Sequence, residues 1–452
     1  MTIAHRPHRP ILLSLAACLL AAGCVDSSLE EATGKADLSA INASVTAPEI
    51  QFFLEERNLG NVAFKSSTPA QEFDDLNYTI NFDVQVPGES VRRRLVSMDV
   101  DVQPDREYVF VFTGSVDNPD MLLWDTTERQ WDGSETVFEM GFAHLSPDAG
   151  PVDVYFAAPG TAPAAGNAAG TLANGERLDA ADFPEGDYVL ILTPAGDPQT
   201  TLYMSGTRTY SAATTDTLVL FDTDPSTTGD LNVRLVSNTG AATELPDPRF
   251  PPEVRFLHAT LGLGNIDIAE DGGFNPPLVA DLAYGELTPD TVVTAGTVDY
   301  TVTAAGNMGA ILAEEELTNI AGAHFNRTLV GPVDEPLFVS SASGRRPFST
   351  SARVAFTHAA ANLGPVDIYL LRAGEPVADS NPSSINIPFR FTSGLSPLVA
   401  GNYEMSLTPN GEKTLLAGPI AIDLANGDVV DIYVLDTVDP NAADVQVVRY
   451  TP

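Results

Sequence analysis

Cysteine is nearly missing from this chain. Only Cys18 and Cys24 occur in 452 residues, so a disulfide framework and a Cys-type zinc site are both excluded. Basic residues are scarce as well, with 23 Lys and Arg against 61 Asp and Glu and a net charge of −38. A surface this acidic repels nucleic acid and anionic headgroups, and its bland explanation is adaptation to a salty or calcium-rich exterior. Amphipathic helical stretches are almost absent; the single candidate, Leu312 to Leu317, is too short to matter. There is no Walker loop, no Gly-x-Ser-x-Gly and no His-Glu-x-x-His, so no catalytic residue and no cofactor is implied.

The one long apolar run lies at the start. Arg6 and Arg9 precede Ile11 to Leu20, a segment too short to span a bilayer, and Leu20-Ala-Ala-Gly-Cys24 resembles a bacterial lipobox. Residues 1–23 are therefore expected to leave as a signal peptide, with Cys24 as the lipid anchor. Val25 follows the cysteine in place of the retention aspartate, which points to the outer membrane. Signal removal deletes two arginines and no acid, leaving 21 basic and 61 acidic residues, a net −40. Residues 24–46, polar and aperiodic, read as a flexible tether.

Beyond that point the chain holds 35 Gly and 34 Pro, with short alternating apolar runs between them. Tyr78 to Val86 and Val429 to Leu435 are examples; period-two runs bounded by turn formers mean strands. The strands belong to repeats. Phe142-Ala-His144 with Asp153, Phe256-Leu-His258 with Asp267, and Phe356-Thr-His358 with Asp367 share a His–Asp spacing of nine. A Val or Ile flanks each aspartate on both sides. A degenerate copy is aligned at Gln51 to Leu54, placing Leu54 and Ala63 at the His and Asp positions. Later in each unit Gly186-Asp-Tyr188 to Leu192-Thr-Pro-Ala-Gly196 matches Gly401-Asn-Tyr403 to Leu407-Thr-Pro-Asn-Gly411. The fold class expected is all-β, a tandem array of Ig-like antiparallel β-sandwich domains at 47–137, 138–250, 251–350 and 351–452. Weak contacts between units are expected, with linkers at Asn238 to Pro252 and Ser340 to Ser351.

Val254-Arg-Phe-Leu-His258-Ala, the Val-Asp-Val/Ile-Tyr runs at 152–155 and 366–369, and the Gly-x-Tyr strand resemble the bacterial domain-of-unknown-function family 4397. The resemblance covers roughly residues 47 to 452. It implies secreted or surface-anchored proteins with Ig-like sandwiches, often in tandem, and transfers no catalytic or binding residue.

On a strand Phe256 and His258 share a face, so each repeated histidine is expected to point inward and need a partner. The structural pairs His144 with Asp153, His258 with Asp267 and His358 with Asp367, or a His–backbone contact, are preferred over metal ligation. Zinc needs three or four ligands, and each unit repeats one histidine. The acidic turns Asp222-Thr-Asp224-Pro225 and Asp436-Thr-Val-Asp439-Pro440 could supply calcium ligands but lack EF-hand spacing, and turn chemistry is favoured. Arg92-Arg-Arg94 reads as a charged edge strand, and Trp124 and Trp131 as core packing in preference to a sugar platform. The function expected is a lipid-anchored, non-catalytic structural or binding module of the cell envelope. Its partners would be the membrane, through the lipid, and an envelope protein or glycan. A calcium- or glycan-dependent adhesion module and a hydrolase are the alternatives.

Overall fold

The computed structural model describes residues 32–450; Cys24 and the expected signal peptide lie outside them. The described residues form four β-sandwiches, each of two sheets. In unit four one sheet runs Ser396–Leu398, Ala352–His358, Val429–Asp436, Ala443–Tyr450, and the other Ser384–Ile387, Val366–Arg372, Gly401–Pro409, Ala417–Leu424. Units one and three repeat this order, and unit two adds strands at its sheet ends. The first sheet always holds one parallel pair, here Ala352–His358 beside Val429–Asp436. The same parallel pairing joins Lys35–Asn42 to Arg106–Gly114, Val137–Leu145 to Thr215–Phe221, and Glu253–His258 to His324–Val330. Each unit has its own apolar core, with Phe52, Phe82 and Phe110 in the first and Val354, Met405 and Ile432 in the fourth. Leu312 to Leu317, the helical candidate, lies within the strand Asn307–Asn319, where pairing with Gly296–Ala304 overrides local propensity.

Unit one begins earlier than the sequence suggests. Lys35–Asn42, inside the segment expected to be a tether, is a strand between Gln71–Asp74 and Arg106–Gly114, with Leu38 and Ala40 fully buried. Its place in the sheet is that of Val137–Leu145, so the unit-one alignment shifts. Asn42 stands opposite Phe112 as His144 stands opposite Leu220. Ile50–Leu54 takes the place of Val152–Ala157, which brings Gln51 onto Asp153. Asn42 and Gln51, again nine apart, replace Leu54 and Ala63 as the repeat positions.

The units are not weakly joined. The outer faces of the first sheets of units one and two pack together through Ile41, Phe64, Val111, Leu145, Val219 and Phe221. Units three and four meet in the same way through Leu257, Ala259, Val330, Ala359, Tyr433 and Leu435. A Cβ added to Gly240 of unit two would come within 2.5 Å of the Pro69 nitrogen of unit one, so the approach there requires glycine. Both expected linkers are packed. Tyr203 donates to the Leu245 carbonyl at 2.5 Å, and the Met204 N–H to buried Asp247 at 3.0 Å. In the other, Arg346 donates to the carbonyls of Val45 (2.9 Å) and Ala47 (2.6 Å) in unit one, while the Arg345 N–H reaches Ser226 of unit two at 2.8 Å. Serine, glycine and arginine suggest an exposed linker by composition; guanidinium hydrogen bonds to backbone make this one a hub.

Candidate functional site

The three repeated histidines end the first strand of their units and are 0–1% exposed. Each imidazole latches the loop that follows. His144 Nε2 lies 2.7 Å from the Gly150 carbonyl, His258 Nε2 2.9 Å from that of Gly264, and His358 Nε2 3.2 Å from that of Gly364. A carbonyl can only accept, so Nε2 carries the proton. Nδ1 then accepts the N–H two residues on, from Ser146 at 3.1 Å and Thr260 at 3.4 Å, and is left unpartnered in His358. Burial lowers the pKa of all three imidazoles, against the weaker opposing pull of that carbonyl contact. The neutral ring is the form the latch requires.

Asn42 makes the same contacts without an imidazole. Its Nδ2 donates to the Pro48 carbonyl six residues on at 3.4 Å, and its Oδ1 accepts the Ser44 N–H at 2.9 Å. A carboxamide is a donor and an acceptor at fixed spacing, which is what the neutral ring supplies. Identity matching overlooks this substitution; the preserved spacing of nine was the signal that could have found it.

The aspartates do not meet the histidines. Asp153 accepts the Thr171 hydroxyl at 2.5 Å and the Gly196 N–H at 2.8 Å. Asp267 accepts the N–H groups of Asp281 and Gly306, both at 2.8 Å, and Asp367 those of Asn386 (2.8 Å) and Gly411 (2.9 Å). The expected His–Asp pair is therefore corrected to two separate backbone clamps, the His–backbone contact being the form the histidines take. The glycines at the end of the second repeated motif, Gly196 and Gly411, and Gly306 at the same place in unit three, turn at φ of 80°, 77° and 71° and bring their N–H onto the carboxylate. Two motifs separate in sequence thus form one joint. In unit one Gln51 has an unpartnered Oε1, and this clamp is lost.

The acidic turns also hold the fold. Ser146 donates to Asp222 at 2.6 Å, and Asp436 accepts the N–H groups of Ala361 (2.8 Å) and Asn362 (3.0 Å). Asp224 accepts an ion pair from Lys65 Nζ of unit one at 3.0 Å, with both side chains buried. Burial pushes the Asp224 carboxyl up, but Lys65 and the Ser226 N–H outweigh it and hold it below the ordinary range. Nothing in the sequence marked Lys65. Arg92 and Arg94 share one face of an edge segment and clamp buried Asp83 at 2.7 and 2.6 Å, while Arg93 alternates to the other. The tryptophans are half-buried: Trp124 donates to the Gly175 carbonyl of unit two at 3.2 Å, and Trp131 to Thr215 at 3.1 Å. They pack at the first junction and not in a core.

Among the described residues, Glu253, Asp290 and His324 bring three potential metal ligands within 4.8 Å. Asp290, however, is already bound by Arg255 (3.1 Å) and Arg345. Two fixed guanidiniums there compete with any cation, and the group is an ion-pair node.

The family model for the domain of unknown function DUF4397 matches residues 36–155 and 252–369, together just over half of the chain. Each match covers one whole sandwich and the first two strands of the next, ending within Val152–Ala157 and Val366–Arg372. No curated protein matches. Among solved structures the chain is similar to the Bacillus anthracis TIE protein at 10% identity and a TM-score of 0.15, covering 86% of this chain and 66% of that one, just under two thirds of its length. By the first of these findings, the chain belongs to the DUF4397 family, in tandem copies.

Proposed function

We propose that this chain is a non-catalytic structural and binding module of the bacterial cell envelope, held at the outer membrane by a lipid on Cys24. The observation that carries the non-catalytic part is the use of the repeated polar residues. Every repeated histidine and aspartate is engaged by a backbone group of its own unit. A general base must come within reach of a substrate proton, and these side chains are buried against closed loops. The lipobox-like Leu20 to Cys24 supports the anchor, and the packed array supports a rigid body displayed beyond it. The test is detergent phase partition of the full-length protein. The wild type is expected in the detergent phase and Cys24→Ser in the aqueous phase; a water-soluble wild type with a free thiol overturns the anchor.

A further inference from the structure

The two junctions are built on the same plan, and their polar ends can be matched residue by residue. Asp37 pairs with Glu107 on neighbouring parallel strands as Glu253 pairs with His324. Two places on from each first residue, Ser39 corresponds to Arg255. The Thr68 hydroxyl caps the Ala40 N–H at 2.9 Å as Thr288 caps that of Phe256 at 2.9 Å, so Ala70 corresponds to Asp290. The registers of Thr217 with Val236 and Asp431 with Val448 make Asn238 the counterpart of Tyr450.

At the second junction these positions are filled. Arg255 lies 4.5 Å from the Tyr450 ring centroid and bonds Asp290, Arg345 stacks on the same ring at 5.1 Å, and Tyr450 donates to Asp431 at 2.7 Å. At the first junction serine, alanine and asparagine stand there instead, and the sheets leave a small cleft of about 50 Å³. Asp37 and Glu107 both line it, neither in an ion pair among the described residues, against one guanidinium, Arg177. Arg177 reaches in over Gly141, where a Cβ would come within 3.5 Å of it. Trp124 forms part of the wall, its indole fixed by the bond to Gly175. Burial first, then carboxylate neighbours, raise the pKa of Asp37. Burial raises that of Glu107 too, with Arg177 opposing and Asp37 adding.

We infer that the cleft between units one and two binds a guanidinium group supplied by a ligand, which takes the place that Arg255 and Arg345 fill in the second junction. A planar cation fits a slot between two sheets, pairs with carboxylates and stacks on an aromatic wall. The inference deepens the binding half of the proposed function and is independent of the anchor, so it is tested on the full-length chain in detergent, whichever way the phase-partition result falls.

The experiment is isothermal titration with L-arginine amide, a capped Gly-Arg-Gly peptide, and the uncharged isostere citrulline amide. Saturable binding of a guanidinium probe but not of citrulline amide is expected. Binding of the free amide identifies a small-molecule source, and binding of the peptide alone a polypeptide source. Ser39→Arg, which restores the side chain of the second junction, should abolish binding. Glu107→Gln should weaken it about ten-fold or more, as expected for losing one partner of a desolvated charge pair. Thermal melts confirm that each variant folds, and Glu107→Gln carries the test if Ser39→Arg does not. Absence of saturable binding, equal binding of citrulline amide, or a folded Glu107→Gln that binds like wild type overturns the inference.

Discussion

The first and second pairs of sandwiches solve the same packing problem with different residues. Units three and four close their junction with apolar contacts and a buried network of Arg255, Asn326, Asp431 and Tyr450. Units one and two use apolar contacts at one end, a single buried ion pair between Lys65 and Asp224, and small polar residues at the other. Unit one also carries Asn42 where its three relatives carry histidine. The fold constrains the hydrogen-bond geometry at these places more tightly than residue identity, and the pair that departs from the repeat pattern is the one that leaves a cleft.

The largest expected effect comes from breaking the buried Lys65–Asp224 ion pair, which among the described residues has no counterpart in the second pair. Asp224→Ala leaves the Lys65 ammonium buried without its main partner and should cost about 3–5 kcal/mol. Hydrogen exchange should place the loss in units one and two; a loss spread evenly over all four units would show that the two junctions do not differ in this way. Because the Asp224 carboxyl is held below its ordinary value near 3.8, its contribution is present above that pH and is lost as pH falls through the folded value.

A smaller loss should follow removal of the aspartate clamp, which units two to four have and unit one lacks. Asp367→Ala leaves the Asn386 and Gly411 N–H groups without their acceptor, at about 1–3 kcal/mol by chemical denaturation. His358 and Asp367 share no partner, so His358→Leu and Asp367→Ala should add within about 0.5 kcal/mol. A larger coupling would restore the pairing that the structure does not contain.

At the second junction Tyr284 donates to the Asp436 carbonyl at 2.6 Å across the unit boundary. Tyr284→Phe should cost about 0.5–1.5 kcal/mol in a urea titration. No change would mean that this bond adds nothing to the apolar contacts and the Asn326–Asp431–Tyr450 network.

The smallest effect is expected from copying unit one into unit four. His358→Asn should stay within about 1 kcal/mol of wild type at neutral pH, whereas His358→Leu loses the latch and costs more. The pH profile separates the two roles. A histidine whose folded pKa is lowered contributes stability that is full above the unfolded value of 6.5 and falls as pH drops from there through the folded value. His358→Asn should flatten the part of the acid slope that arises in unit four. An unchanged slope between pH 6.5 and the acid limb would rule out His358 as its source.

Much of this architecture could be read in the residues themselves. Period-two alternation with Gly and Pro punctuation specifies strands and turns locally, and repetition specifies four sandwiches. The inward histidines and the glycine turns were equally legible, because strand alternation and positive φ are properties of a few neighbouring residues. Pairings over long separations were not. Asp153 and Gly196 mark two motifs 43 residues apart, and only the sheet shows that one clamps the other. Asn42 differs in name from histidine while offering the same donor and acceptor, so residue identity alone does not reveal the first strand of unit one.

The sequence by itself determined most of the strands, the number of sandwiches and the positions where polar groups must turn inward, since each follows from short-range stereochemistry. Tertiary structure alone decided that the sandwiches fuse in pairs, that Lys65 belongs to Asp224, and that the Arg345–Arg346 segment is a hub and not a hinge. Each of these depends on which outer faces meet and on what happens to charges once water is excluded between them, and neither is encoded within any single stretch of chain.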